Sequence, residues 1–500
     1  MASVPDDARL PPEIWIRVFY WATYCTARDL PILLQVPLFD GIIYREDEAT
    51  DNEALRTKST LALVCKQWRA LSEQFLYEDL RIRHGKQMLA DVLETARTED
   101  PHGLGKGRYV IRILLPNSLK KSAVYHHDRH WADEDTSRIL SCCPNLLALC
   151  RYHPIFSRDE DDDEPEPREE RIPNTPMEID GKDCCSIHDP PLPSFQRLDW
   201  FNGKMQGGSW HATICAVPSA LWTAQQLEVL SLSGDNYFWG PSDLQSLSGR
   251  AILLPRVHTL RVGSRYAFGV PGISDYTLVL PSLRRIILDR GEALHRLIEC
   301  VVASPRSTIP PDIIALEVGA PHWRFTRSDY ISTLVRHYPT AETLHYPIFF
   351  ARPLRWRHLR DNGLSYGPHE TERVFANIKH VGLHAEPNPE TTYPIQHRNR
   401  NSNNDKSDVI WSHLYAHARA LLGSTSPTFL ESRLPEVRTV TLHGQSWLPL
   451  VIDARFHLIL DLARSRGAEI VAQHPSVANA LQDVLLNYRT DLILEWVCAL

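Results

Sequence analysis

From about residue 108 onward, one short pattern of apolar and polar positions recurs along the chain. Each copy reads hydrophobic-x-x-hydrophobic-x-hydrophobic, often after Pro or Leu-Pro, as in QQLEVLSLS, PRVHTLRVG and PDIIALEVG. Apolar and polar residues that alternate in this way are typical of a β-strand. We take the central apolar residue of each copy as its anchor. The anchors are Ile113, Leu149, Leu198, Leu230, Leu260, Ile286, Leu316, Leu344, Val381 and Val440.

Helical patterns separate several of the predicted strands. Residues 291–304 (GEALHRLIECVVAS) and 328–339 (SDYISTLVRHYP) carry apolar residues at helical spacing. Strands that alternate with helices indicate a parallel sheet with helices on its outer side. Most copies recur at steps slightly longer than the ~20–29 residues of a leucine-rich repeat. Residues 108–445 therefore resemble an irregular array of that kind, which helices in 446–500 are expected to cap. An ordinary α/β domain with many Leu-Pro turns is the alternative.

The residue after each anchor is expected to face away from the core. Successive side chains of a strand point to opposite faces, so Ser231, Arg261 and Glu317 are predicted to line a concave surface. Such surfaces are the binding faces of repeat proteins. These three residues are therefore candidates for binding a target protein.

Two amphipathic helical patterns precede the repeats. The first begins at LPPE (10–13), because proline suits the first helical turn and an acidic residue suits its positive end. Ile14, Val18 and Ala22 then lie on one apolar face. The second pattern runs through LALVCKQWRALSEQFL (61–76), and a short helix and a loop are predicted between the two. So short a segment cannot bury all these apolar side chains by itself, which indicates a partner surface.

The two half-motifs LPPEIWIRVF and LVCKQWRAL, followed by FLYEDLRI, carry a resemblance. Residues 8–82 resemble the F-box of fungal F-box proteins, with an expanded middle that includes ALRTK (54–58). The resemblance implies a helical module that binds the Skp-type linker subunit of an SCF complex, and through it a cullin and a RING protein. The alternative for Val64 and Trp68 is that they only fill the core of the module. By position, the implied contacts with the linker are Leu10, Pro11, Ile14, Val64, Cys65 and Trp68.

Composition and charge set the protein class. A soluble chain of 500 residues with 43% hydrophobic and 23% charged residues should form two domains, or one domain and an elongated array. The net charge is −7, yet Asp159–Glu170 holds nine acidic residues and one Arg, so the remainder is nearly neutral and unsuited to nucleic acid. Loops 157–191 and 386–407 are predicted to be disordered. The sequence shows neither a signal-peptide pattern nor an apolar run of ~20 residues, so we expect an intracellular protein of the cytoplasm or nucleus that does not bind membranes.

The sequence predicts an α/β protein that is not an enzyme and holds no cofactor or metal. The ten cysteines form no CxxC pair, and no P-loop, GxSxG or HExxH motif is present. Cys184 with His188, and the group His126, His127 and His130, lack a second set of ligands at metal spacing. The sequence favours a substrate-recruiting adaptor of a ubiquitin ligase, which acts by proximity. Two alternatives stay open: an F-box scaffold outside ubiquitylation, and a hydrolase or transferase in the C-terminal domain.

Overall fold

The computed structural model divides into two compact units, of which the first comprises Met1–Val257 with Tyr266–Pro281 and the second His258–Arg265 with Ser282–Leu500. Neither limit coincides with the predicted boundaries at residues 82, 108 or 445. The predicted disordered loops, and the metal candidates around His126 and Cys184, lie outside the described residues. The structure describes residues 10–25, 28–29, 33–34, 43–82, 86–116, 134–152, 192–202, 224–234, 251–262, 277–288, 301–304, 310–318, 330–348, 377–385, 434–486 and parts of 411–430.

The first unit contains helices followed by parallel strands. Its described helices are α1 (Pro12–Ala22), α2 (Ile43–Val64), α3 (Lys66–Tyr77), α4 (Lys86–Glu99) and α5 (Glu134–Ser141), with a 3-10 turn at Lys106–Tyr109. One sheet ladder consists, in spatial order, of β1 (Asp79–Arg81), β2 (Arg112–Pro116), β3 (Ala148–Tyr152), β4 (Arg197–Asn202) and β5 (Val229–Gly234). A separate parallel pair is formed by β6 (Ala251–Leu253) and β8 (Thr277–Val279).

The second unit is built on a longer parallel ladder. In spatial order its strands are β7 (Thr259–Val262), β9 (Arg285–Leu288), β11 (Ala315–Val318), β12 (Thr343–Ile348), β13 (His380–Ala385), β16 (Thr439–His443) and β17 (Glu469–Ala472). The remaining strands are β10 (Val301–Val302), β14 (Thr425–Ser426) and β15 (Phe429–Leu430). The described helices include α6 (Tyr330–His337), α7 (Leu448–Val451) and α8 (His457–Arg466), with 3-10 turns at Gln445–Trp447 and Ala454–Phe456.

The predicted anchors form one continuous row within each unit. In the first unit Ile113, Leu149, Leu198 and Leu230 are direct partners on successive strands. In the second unit the row runs from Leu260 through Ile286 and Leu316 to Val440. Every anchor is at most 3% exposed. The α/β class and the in-register parallel strands are therefore confirmed, with twelve strands in the two parallel ladders among the described residues.

The expected exposure of the residues after the anchors is wrong at two positions. Ser231 is only 4% exposed and Glu317 only 2%, whereas Arg261 is half-buried. The Glu317 carboxylate pairs with the Arg285 guanidinium at 2.8 Å. Strands of parallel sheets are commonly covered on both faces, so a position opposite the core row need not be exposed. Ser231 and Glu317 therefore do not line an open concave surface in this structure.

Several predicted helices differ from those in the structure. The pattern over 61–76 is two helices, because Cys65 adopts extended backbone angles and its Sγ accepts a hydrogen bond from the Trp68 N–H, which caps α3. Between α1 and Cys65 the structure contains the 22-residue helix α2, and not only the predicted short helix and loop. Helix α6 is confirmed, whereas the end of the predicted helix 291–304 is strand β10.

The C-terminal region is not made of helices alone. Helix α8 ends at Gly467, whose positive φ of 71° provides a left-handed cap, and the chain then enters strand β17. This strand pairs with β16 at the edge of the ladder, and a helix over residues 475–486 follows. The predicted capping helices of 446–500 therefore include an additional strand of the sheet. Across the described part of the chain, no helix is long and apolar enough to cross a membrane.

A buried charge cluster joins the N-terminal helices to the first strand of the sheet. Glu78, which directly precedes β1, receives a bidentate pair from Arg28, with nitrogen–oxygen distances of 2.6 and 2.7 Å. Lys58 of α2 contacts the same carboxylate at 2.7 Å, and the Cys25 thiol donates to it at 3.5 Å. Burial raises the pKa of Cys25 to about 11, so the thiol keeps its proton. The backbone carbonyl of Glu78 also accepts hydrogen bonds from the N–H groups of Arg112, the first residue of β2, and of Ile111 before it.

Candidate partner-binding surface

Helix α1 presents an apolar face that the chain leaves largely uncovered. It begins directly after Pro11, with Pro12 in its first turn, and buries Phe19. In contrast, Leu10, Ile14 and Val18 are 49%, 44% and 45% exposed. Residues 14 and 18 are one helical turn apart, so their side chains form a continuous stripe. Pro11 is also exposed.

A second exposed apolar segment lies where α2 meets α3. Leu63 is 85% exposed and Val64 is 55% exposed at the end of α2. Cys65 is exposed as well, and its sulfur is engaged in the cap of α3. The bend at Cys65 places these apolar side chains at the junction between two helices. Exposed charged residues, among them Lys66 and Arg69, follow on α3.

An aromatic cluster holds α1 against α3. The ring of Trp68 lies 4.8 Å from that of Trp15 and 5.0 Å from that of Phe19, measured between ring centroids. Tilted and edge-on aromatic pairs at these distances stabilise helix packing beyond the area they bury. Trp68 is half-buried, so part of its side chain belongs to the core of the module. Its remaining surface stays accessible from outside.

The structure thus brings five of the six predicted linker contacts to the surface. Leu10, Pro11, Ile14, Val64 and Cys65 are exposed, and Trp68 is partly exposed. An uncovered group of large apolar side chains on packed helices is the usual mark of a protein–protein interface. Trp21, which is 67% exposed, extends the group at the end of α1. We call Leu10, Pro11, Ile14, Val18, Trp21, Leu63, Val64, Cys65 and Trp68 the helical docking surface.

The candidate target-binding residues do not form a comparable surface. Ser231 belongs to the first unit, whereas Arg261 and Glu317 belong to the second. Within the second unit Glu317 is buried and ion-paired with Arg285. The residues through which the protein would hold a target therefore stay a prediction.

Sequence reasoning missed one cluster of histidines. His345 in the middle of β12, His384 near the end of β13 and His443 at the end of β16 lie together and could hold a metal ion. The signal was present, because a Leu-His pair recurs in three strand patterns: TLHYP, VGLHA and VTLHG. The three residues are far apart in the chain, and only the strand register brings them together.

Comparison with known proteins adds no assignment. No protein-family model matches the chain, and a search of curated proteins found no significant match.

Proposed function

We propose that the protein is a substrate-recruiting adaptor of an SCF-type ubiquitin ligase in the cytoplasm or nucleus. In this proposal residues 8–82 are an F-box module that binds a Skp-type linker subunit, which connects the chain to a cullin and a RING protein. The adaptor breaks and forms no bonds itself. It increases the local concentration of a target protein near the ubiquitin carrier.

The helical docking surface is the observation that carries this proposal. Motif residues that the F-box resemblance assigns to the linker are also exposed apolar residues, such as Leu10, Ile14 and Val64. A side chain that only filled the core of the module would be buried. Water-exposed side chains of this size gain free energy when a partner covers them, at about 25 cal/mol per Å² of apolar area.

We further propose that the parallel strands form an irregular leucine-rich-repeat-like solenoid that binds the target protein. The in-register row of anchors supports this architecture, because each repeat of a solenoid packs against its neighbours in that way. Within the first unit, Glu78 joins the helical module directly to the first strand of this array.

The first test measures the affinity of the purified full chain for a recombinant Skp-type linker. Leu10→Ala and Ile14→Ala are each expected to weaken binding about 30-fold, the equivalent of a ~2 kcal/mol hot spot. Leu458→Ala and Ile452→Ala are matched controls, since these residues are exposed to 43% and 64% outside the docking surface. The controls are expected to bind like the unchanged chain.

The second arm of the test asks whether a cullin is recovered together with the linker. The adaptor proposal predicts that capture of the full chain recovers both, and that Ile14→Ala loses both. Recovery of the linker without a cullin would favour the scaffold alternative. Equal linker binding by the unchanged chain, Leu10→Ala and Ile14→Ala would contradict the docking assignment.

A further inference from the structure

Three histidines converge on three adjacent strands of the second unit. His384 on β13 and His443 on β16 are direct partners in the strand register, and His345 on β12 is the partner of Gly382. Positions 382 and 384 lie on the same face of β13, because side chains alternate along a strand. All three imidazoles therefore stand on one face of the sheet.

Gly382 makes the approach of the first histidine possible. A Cβ atom at this position would lie only 2.3 Å from Nδ1 of His345. Because glycine has none, the His345 ring can lie over strand β13 and reach towards β16. Its centroid is 5.1 Å from that of His443. The rings of His384 and His443 stack at 4.2 Å with an angle of 8° between their planes.

Each ring offers one nitrogen as a possible metal ligand. These three ligand atoms all lie within 4.8 Å of one another. Among the described residues, Nδ1 of His345 and Nε2 of His443 have no hydrogen-bond partner although both atoms are buried. The burial of a polar nitrogen without a partner is unfavourable, so an additional bound species that satisfies it would stabilise the fold.

Gln473 fixes the orientation and tautomer of His443. Its Oε1 is an acceptor only, so Nδ1 of His443 must donate the hydrogen bond between them. The lone pair of His443 is then left on Nε2, the buried nitrogen that has no hydrogen-bond partner among the described residues. A second residue that holds the far nitrogen of a histidine in this way is typical of metal sites. Gln473 directly follows strand β17.

The electrostatic surroundings favour neutral imidazoles, the form that binds metals. Burial lowers the pKa of His345 to about 4 and that of His384 to about 2, and it also lowers the pKa of His443. The positive charge of Arg285 also lowers the pKa of His345, and this guanidinium is ion-paired with Glu317 on the neighbouring strand.

We propose that His345, His384 and His443 form a binding site for a divalent transition-metal ion, with zinc as the expected ion. Imidazole suits zinc, and three histidines with one open position are an established zinc donor set. With zinc–nitrogen distances of about 2.0–2.1 Å, the nitrogens of a tetrahedral site stand about 3.4 Å apart. In the structure these nitrogens lie within 4.8 Å of one another, so a bound ion would draw them closer together. The fourth position would hold water or a group of a bound partner.

Metal analysis of the purified full chain tests this site. After equilibration with zinc sulfate and removal of the excess, we expect about one zinc ion more per chain than in the triple variant H345Q/H384Q/H443Q. His380→Gln is the matched control, because this exposed histidine lies on the same strand, β13, outside the cluster. It is expected to retain the zinc of the unchanged chain.

Two readouts keep the test decisive if the triple variant fails to fold. Gln473→Ala leaves all three ligands in place and should weaken zinc binding about 10–100-fold, measured by competition with a chelating dye. Cobalt chloride added to the unchanged chain should give the visible bands of a four- or five-coordinate ion without a sulfur charge-transfer band. Equal zinc affinity in the unchanged chain and Gln473→Ala, zinc retained by a folded triple variant, or a sulfur charge-transfer band would each overturn the proposal.

Discussion

Replacement of Glu78 by alanine is expected to lower the free energy of unfolding by about 3–5 kcal/mol. The side chains of Glu78, Arg28 and Lys58 are exposed to only 7%, 4% and 2%. Removal of the carboxylate would leave two buried cations without their common partner, and the desolvation of an unpaired charge is very costly. Chemical denaturation of the full chain, followed by circular dichroism, measures the change.

A surface ion pair provides the control for Glu78. Glu342 and Lys379 are also 2.8 Å apart, but their side chains are exposed to 46% and 36%. Solvent screens such a pair, so Glu342→Ala should leave the free energy of unfolding nearly unchanged. If both substitutions had equally small effects, the buried cluster would not join the helical module to the sheet as described.

Replacement of Ile286 or Leu316 by alanine is expected to cost about 2–5 kcal/mol of stability, the usual range for such core truncations. Both side chains are fully buried and are direct partners on β9 and β11. Each truncation removes apolar contacts with the strands on either side and leaves a cavity in a densely packed row. Denaturant unfolding measures the loss.

Ile314 serves as the matched control for this core row. It directly precedes β11 and its side chain is 48% exposed. Ile314→Ala should therefore change the free energy of unfolding by no more than ~0.5 kcal/mol. Equal losses at Ile286 and Ile314 would mean that the anchors are not the core of the second unit.

The strands could be predicted because their signal is local. In each copy the anchor stands in a short alternating pattern that often follows a proline, and this pattern identified all ten anchor positions in their observed register. The side of the sheet on which Ser231 and Glu317 lie could also be deduced. Their burial could not, because it depends on which distant segments cover that face.

The helix boundaries were harder to predict because competing signals lie close together. Apolar residues continue at helical spacing through Val64, Cys65 and Trp68, so periodicity alone predicts one helix. The structure breaks it at Cys65, whose sulfur takes the role that a Ser or Asp side chain usually has at a helix start. Nearer the other end of the chain, Gly467 ends helix α8 in a left-handed conformation, and strand β17 follows it.

Contacts with Cys25 and Glu78 explain the expanded middle of the N-terminal module. Ala54 packs against Cys25, and Lys58 binds Glu78, so these two residues of the ALRTK segment (54–58) face the interior of the module, whereas Arg56 is exposed. Sequence reasoning could not assign this role, because the charged residues of an apparently polar insertion are normally exposed. The docking residues, in contrast, could be named by position because they stand within the two flanking motifs.

Hydrogen exchange of the full chain with and without a Skp-type linker shows directly whether the helical docking surface binds the linker. We expect slower exchange of backbone amides in α1 and around the α2–α3 junction at Cys65 when the linker is present. Strands β11 to β13, which lie in the other unit, should exchange as before. Unchanged exchange in α1 and at the junction, under conditions in which the linker is known to be folded and in excess, would contradict the proposal that this surface binds it.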